Sequence, residues 1–384
     1  MHTPRIISFA ALPKIFSGSK ALETLPRELE LLGARRPLVL AYELFGRARI
    51  LLLKKAFSHT HLSVASVCLI KEEVSLPDIQ TILTALSENE CDSIIAVGSG
   101  ILQSAAKLAN SLHSCRLSIE QLHLLPCSHS PLLPCAAVLT EDVDGRELSD
   151  SLLFDEFILR HESVVPKMAI LDPRLLGLIP ESKTAASAQI TLAQLCESMR
   201  TYEQSPQVNA WLVPALRFLG DWADVLKRPQ AHAALLQAGV FAQIIHSNSS
   251  YGPLWTVSEM FHISGFCSQA EVVSALLPHY ISLLYNKNKA SIDAIIKDVR
   301  ILSSGAPSTS LWMHQHNTDA SAGLLQLTKR LTEWAQHPGR RTIIESLLRQ
   351  TERLFKRSEF SEIQELITTA AQNSYARHAQ GGSL

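Results

Sequence analysis

The sequence predicts an α/β domain built on a doubly wound parallel sheet, followed by an all-helical domain. In the first half, short apolar runs alternate with amphipathic segments at helical spacing. Beyond residue 180 only the helical spacing recurs, with no convincing strand. The central stretch of the first half is Cys91–Ala109, where an apolar run, a Gly-Ser-Gly turn and the start of a helix follow one another.

The elements of the first half follow from apolar runs and from helix start signals. Strands are predicted at 15–17, 37–42, 62–69 and 94–97, with a strand pair between Val138 and Ile170 that includes the turn Asp142–Arg146. Helices are predicted at 21–32, 46–57 and 76–87, with another opening at Leu102. Such alternation implies right-handed crossovers and a parallel sheet.

The predicted domain boundary is Pro180, with a nucleotide-binding-type domain over residues 1–180 and a helical domain over 181–384. A cleft is expected between them. The candidate helices of the second half are 183–202, 207–226, 230–247, 253–263, 268–286, 289–302, 320–336, 340–356 and 359–378.

Composition excludes several classes of function. The net charge is −1 and no basic run occurs, which argues against nucleic-acid binding. No stretch approaches 18 uninterrupted apolar residues, so no membrane span is expected, and the N-terminus lacks a signal-peptide pattern. The seven cysteines are scattered without a C-x-x-C pair and predict reduced thiols in a cytoplasmic protein.

The turn Gly98-Ser99-Gly100 is the first candidate binding site. It brings backbone N–H groups and the positive end of a helix dipole to one point, which suits a phosphate or pyrophosphate. Glycines in strand-to-helix turns that bind nothing are the alternative, because the motif is shorter than G-x-G-x-x-G.

Two runs, KIFSGSKALETLPRELELLGARRPLVL and CDSIIAVGSGILQSAAKLA, resemble the iron-containing alcohol dehydrogenase superfamily, as does the later Leu125-Pro126. Blocks around Thr184–Ser198 and Gln269–His279 resemble maleylacetate reductases most. The resemblance implies an oxidoreductase that binds NAD(P) at the glycine turn, often as a homodimer. It also places the hydroxyls of Ser128 and Ser130 near the cofactor phosphates.

The same resemblance places the metal ligands of the family, an Asp and three His, at Ile190, Gln194, Trp255 and Gln269. A further His, often assigned to proton transfer, corresponds to Glu259. Neither an Ile nor a Trp side chain ligates a metal, and Gln is a poor ligand compared with imidazole. We therefore expect no metal at this place.

Two interpretations remain open. In the first, the protein is a metal-independent NAD(P)H-dependent reductase of a small-molecule carbonyl, with Gln194, Glu259, His262 and Gln269 around the substrate and Glu259 and His262 as an acid/base pair. Glu259 and His262 are equally explained as an ordinary pair on one helix face. In the second, the protein is a repurposed, non-redox member of the fold: a pseudoenzyme, or an isomerase, lyase or cyclase.

Overall fold

The structure is a computed structural model. It describes residues 10, 13–43, 47–58, 60–71, 74–98, 100–124, 131–140, 145–155, 157–175, 181–200, 205–224, 229–249, 251–263, 268–303 and 365–369. The chain divides into two compact units, one spanning Ala11–Ile179 and the other taking Pro180–Leu384 together with Met1–Ala10. Each unit is described by itself below.

The first unit is built on a six-stranded, fully parallel sheet. Its strands are β1 (Lys14–Ser17), β2 (Pro37–Tyr42), β3 (Ser66–Ile70), β4 (Ser93–Val97), β5 (Cys135–Val138) and β8 (Met168–Leu171). They lie in the order β1-β8-β5-β4-β2-β3. The central strands are apolar on both faces, since Leu38 and Ile94 pack on one side while Val39 and Ile95 pack on the other. This confirms the predicted fold class.

Helices cover both faces of the sheet. Residues of α3 (Leu76–Glu88) and α4 (Ile101–Cys115) share one apolar core, and residues of α1 (Leu25–Leu31) and α2 (Arg47–Phe57) share the other. A short helix, α5 (Ile119–Leu124), follows α4. The faces of α3 and α4 that carry the predicted apolar spacing are therefore the faces that are buried.

The strand order places the glycine turn at a change of winding direction. β2 and β4 are neighbours, yet the chain continues from β2 to β3 on one side and from β4 to β5 on the other. Ligands of open parallel sheets bind at the carboxyl ends of strands where the winding reverses in this way. The turn after β4 therefore lies where a ligand of this fold is expected.

Two expectations are corrected in this unit. The antiparallel strands are β6 (Ser151–Phe154) and β7 (Phe157–Arg160), so the chain reverses at Asp155, whose φ is +52°, and not at the predicted turn, of which residues 142–144 lie outside the described part of the chain. Asp tolerates this left-handed conformation through local hydrogen bonding, so the Asp-Gly signal was misleading. The prediction of reduced thiols is wrong for Cys115, which is in a disulfide bond. The thiols of Cys68, Cys91, Cys135 and Cys196 are free, as predicted.

The second unit is helical in its described part. Its helices are α6 (Glu181–Met199), α7 (Pro206–Asp224), α8 (Pro229–Ser247), α9 (Pro253–Ile263) and α10 (Gln269–Ser303). α6 is buried from Ala188 to Met199 and packs against the other four helices. The two helices predicted at 268–286 and 289–302 are the halves of α10, which is kinked at Asn288.

The predictions for 320–336 and 340–356 lie outside the described residues, and of 359–378 only 365–369 is described, as helix. Over the described ranges, no helix is long and apolar enough to cross a membrane.

Candidate functional site

The turn between β4 and α4 can be formed only by glycine at its first position. Gly98 has φ of +154°, and a Cβ there would lie 2.8 Å from Leu102 Cδ2 and 3.1 Å from Tyr42 Cε2. Gly100, the residue before α4, has φ of +59°. Gly98 therefore serves a close approach, and both glycines have a backbone conformation that other residues rarely adopt.

Side-chain and backbone hydrogen bonds hold the turn in place. The Gly98 N–H donates to Val138 O at 2.9 Å, which ties the turn to β5. The buried Gln103 side chain donates from Nε2 to Ala96 O and to Gly98 O, each at 2.9 Å. The backbone at Gly98 is thus held by hydrogen bonds from its own N–H and to its own carbonyl oxygen.

A carboxylate of the chain lies at the turn. Glu147, which is fully buried, accepts the Gly100 N–H at Oε1 over 3.1 Å and the Gly145 N–H at Oε2 over 3.2 Å. A backbone N–H at the start of a helix is a favourable donor to an anion. The N–H groups at the turn therefore already donate to a carboxyl group of the chain.

The segment that carries Glu147 is held against α4 by a buried lysine. Lys107 Nζ donates to Arg146 O at 2.6 Å, to Ser149 O at 2.8 Å and to Ser151 O at 2.9 Å. Lys107 is 3% exposed, so its charge is compensated by carbonyl dipoles in the interior. Burial raises the pKa of the Cys135 thiol to about 12, and the nearby Lys107 charge opposes this rise.

The other predicted cofactor residues, Ser99, Ser128 and Ser130, lie outside the described residues. Gly98 and Gly100 are therefore the two members of that set that the structure places, and both lie at the turn.

In the helical unit, two of the predicted site residues, Glu259 and Gln269, take part in side-chain hydrogen bonds on α9 and between α9 and α10. Trp255 Nε1 donates to Glu259 Oε1 at 3.0 Å, one turn apart on α9. Gln269 Nε2, at the start of α10, donates to Ser258 Oγ at 3.0 Å. These groups are buried, and His262 is half-buried on the next turn of α9.

Two more residues of the predicted ligand set belong to α6. Ile190 is 4% exposed and Gln194 is 1% exposed, and Ile190 is part of the apolar core of this unit. Among the residues that the structure describes, no group of three or more His, Cys, Asp or Glu side chains is placed to hold a metal ion. An alkyl group, an indole and two amides do not fit the iron of the family.

A second buried carboxylate fixes the start of α9. Glu197 on α6 accepts the N–H of Leu254 at 2.9 Å and that of Trp255 at 3.1 Å, and it also accepts the Gly252 N–H. His246 Nε2 lies 3.7 Å from Glu197 Oε2, and the His246 ring packs edge-on against Trp255. A buried carboxylate at the positive end of α9 is stabilised by these donors.

Cys196, which precedes this carboxylate, is fully buried. Burial strongly raises the pKa of its thiol, and the Glu197 charge raises it further. A thiol that stays protonated is not a nucleophile.

Sequence reasoning missed Glu147, Gln103 and Glu197. Glu147 stands two residues after a glycine in a segment between strands, and Gln103 and Glu197 occupy helix positions that periodicity marks only as polar or buried. Glu197 could have been noticed, because it lies among apolar residues of α6 and a Glu is almost never fully buried unless it is paired. Its position therefore indicated a buried hydrogen-bond partner.

Comparison with known proteins identifies the type of fold. Residues 13–173 match the family model of iron-containing alcohol dehydrogenase. The probable alcohol dehydrogenase EutG of Escherichia coli K12 is 26% identical over 158 residues, which cover 38% of this chain and 39% of that protein. The match to this relative therefore spans well under half of its length.

Solved structures match over nearly the whole chain. Sulfoacetaldehyde reductase from Bifidobacterium kashiwanohense, solved in complex with NAD+, aligns with a TM-score of 0.75 at 15% identity, covering 99% of this chain and 100% of that one. Maleylacetate reductase from Rhizobium sp. strain MTP-10005 aligns with a TM-score of 0.70 at 16% identity, covering 96% and 99%. At these identities the likeness concerns the fold alone.

Proposed function

Since residues 13–173 belong to the iron-containing alcohol dehydrogenase superfamily and the chain has the fold of its solved members, we propose that this protein is an NAD(P)H-dependent oxidoreductase of a small carbonyl compound. The observation that carries the proposal is the turn from β4 to α4, where the Gly100 N–H donates to a carboxyl oxygen at the start of a helix. The chemistry of the donors thus fits a pyrophosphate.

Gly98, Ser99 and Gly100 would hold the pyrophosphate, with Ser128 and Ser130 as further donors. When bound, the nicotinamide supplies a hydride for transfer to the carbonyl carbon. The chain itself has to orient the substrate, exclude water and stabilise the negative charge that develops on the carbonyl oxygen.

We propose that it does so without a divalent metal at the place of the family iron. The Ile190 side chain has no atom that can ligate a metal. The Trp255 Nε1–H donates a hydrogen bond to Glu259, and the Gln269 amide nitrogen donates one to Ser258. The amides of Gln194 and Gln269 are the proposed hydrogen-bond donors to the substrate, and His262 with Glu259 is the proposed source of the proton.

The named activities of the relatives described above are all oxidoreductions, which supports the redox function over the repurposed, non-redox alternative. A small-molecule substrate, a cytoplasmic location and a homodimer belong to the same proposal.

The first test is titration of the full chain with NADH and with NADPH, followed by nicotinamide fluorescence, and then turnover with a panel of small aldehydes and ketones. Saturable binding and cofactor oxidation would support the proposal. Absence of binding at millimolar cofactor would overturn it.

The second test concerns the residues. Glu259→Gln should lower kcat by a factor of about 10² to 10⁴ if Glu259 takes part in proton transfer, whereas the exposed Glu88→Gln should leave kcat unchanged. Metal analysis of the purified protein after incubation with iron(II) or zinc should find no stoichiometric ion. One equivalent that is lost in Gln194→Ala would contradict metal independence.

A further inference from the structure

The Ser258 hydroxyl on α9 takes part in two hydrogen bonds whose directions can be assigned. Its Oγ lies 2.8 Å from Trp255 O and 3.0 Å from Gln269 Nε2. A backbone carbonyl carries no proton, so the single proton of the hydroxyl has to lie between Ser258 Oγ and Trp255 O. Ser258 is therefore the donor to Trp255 and can only accept from Gln269.

This pairing fixes the orientation of the Gln269 side-chain amide. Only the nitrogen of an amide can bond to an oxygen whose proton is already used. Exchanging the two ends of the amide would either place Gln269 Oε1 against another acceptor or break the bond from Ser258 to Trp255 O. Ser258 is fully buried, so neither change could be compensated by water. The nitrogen end of Gln269 is thus held at α9.

The orientation decides what Gln269 can offer to a bound molecule. One N–H is used by Ser258, and no residue in the described part of the chain donates to Gln269 Oε1. The amide therefore presents one N–H as a donor and its oxygen as an acceptor. This pair is complementary to a carbonyl group with a hydroxyl group beside it, since the N–H can donate to the carbonyl oxygen while the amide oxygen accepts from the hydroxyl. A plain aldehyde or ketone would leave the amide oxygen without a donor.

We propose that Ser258 is a positioning residue that holds the Gln269 amide in this orientation, and that the substrate is a carbonyl compound with a hydroxyl group on the neighbouring carbon. The inference rests on the proposed function, in which Gln269 contacts the substrate. It adds Ser258 to the residues that act in the reaction, and it assigns a substrate class.

The hydrogen bond itself is tested without any substrate. The urea midpoint of unfolding is measured for the wild type, Ser258→Ala, Gln269→Met and the double variant. The double variant should lose less than the sum of the two single losses, because each single change already removes the bond. The control is Ser247→Ala on α8, where a serine donates to the Gln243 carbonyl in the same way, and its loss should add to that of Gln269→Met. Additive losses for Ser258 and Gln269 would overturn the inference.

The substrate class is tested by turnover of matched carbonyl compounds with NADH and NADPH. Glycolaldehyde is compared with propanal, and hydroxyacetone with butanone, so that a methyl group replaces the hydroxyl. The wild type should prefer the hydroxyl compound by a factor of about 10 or more in kcat/KM. Ser258→Ala should lower this preference by a factor of about 3 to 10, because the amide is no longer held in one orientation. Ser258→Thr, which keeps the hydroxyl, and Ser247→Ala should both retain the preference.

The outcomes separate this inference from the proposed function. Turnover without a preference in the wild type, or a preference that folded Ser258→Ala retains, overturns the inference and leaves the proposed function in place. Absence of turnover for every aldehyde and ketone overturns both. Thermal unfolding shows whether each variant is folded, and should Ser258→Thr not fold, Ser258→Ala and Ser247→Ala decide.

Discussion

The indole N–H of Trp255 donates to the Glu259 carboxylate at 3.0 Å, and both side chains are buried on one face of α9. Trp255 occupies a position at which the resemblance predicts a metal ligand, and Glu259 one at which it predicts a catalytic His. A hydrogen bond between two neighbouring turns of one helix thus occurs at two positions where the resemblance predicts a metal ligand and a catalytic His.

The first prediction concerns this pair. Trp255→Phe removes the donor and leaves a buried carboxylate with one partner fewer, so the free energy of unfolding should fall by about 2–4 kcal/mol. Urea denaturation measures the change. Trp211→Phe is the control, because Trp211 is 36% exposed and should cost less than about 1 kcal/mol.

A double-mutant cycle with Glu259→Gln tests the interaction itself. The coupling energy should lie between about 0.5 and 3 kcal/mol. Strict additivity of the two substitutions would show that the hydrogen bond contributes nothing to stability.

The second prediction concerns the cap of α9. In Gly252→Ala a methyl group would lie 2.6 Å from Glu197 Oε1, in a buried site. The crowding should lower the free energy of unfolding by about 1–3 kcal/mol. Combining Gly252→Ala with Glu197→Ala should cost less than the sum of the two single changes, since the shortened side chain removes the clash. A combined loss equal to that sum would contradict the contact.

The third prediction concerns Lys107. Lys107→Met keeps the length and apolar stem of the side chain but removes the donor to three buried carbonyl oxygens. We expect a loss of about 3 kcal/mol in the free energy of unfolding. Lys54→Met, on the exposed side of α2, should change stability by less than about 0.5 kcal/mol. Equal effects of the two substitutions would show that the three hydrogen bonds of Lys107 do not stabilise the folded protein.

The fourth prediction is a pH dependence. Asp172 is buried, which raises the pKa of its carboxyl group, but hydrogen bonds from the Arg174 guanidinium and the Leu22 N–H lower it more, so that the pKa lies below its usual value of 3.8. A group with a lowered pKa in the folded state stabilises the protein above its unfolded pKa, and this contribution is lost as the pH falls through the folded value.

Asp172→Asn should therefore be less stable than the wild type at pH 7 by about 1.5–3 kcal/mol, and the difference should shrink as the pH is lowered from 4 to 2. Urea denaturation at these pH values measures it. A difference that stays constant down to pH 2 would contradict the assigned role of the charge.

Much of the fold could be predicted from local pattern. Pro37–Tyr42 and Ser93–Val97 are uninterrupted apolar runs because they are buried on both faces, and α3 begins where Ser75 and Pro77 signal a helix start. Separate helices were predicted at 268–286 and 289–302, and a kink occurs between them at Asn288. Strand ends were less predictable: β3 begins at Ser66, four residues after the apolar pattern does.

The candidate site was predictable only in part. Glycines report a backbone requirement that is local, so Gly98 and Gly100 could be found. Glu147 reaches the turn through a contact between residues 47 positions apart, and Glu197 caps a helix 55 residues away. Such pairings depend on tertiary packing, which spacing along one sequence does not encode.

The internal hydrogen bonds of the turn after β4 have a thermodynamic consequence. Gln103 and Glu147 hold the backbone at Gly98 and Gly100, so a nucleotide that binds there, as proposed, would not have to restrict the conformational freedom of these two residues. The heat of binding should then contain little contribution from ordering of the polypeptide at these positions.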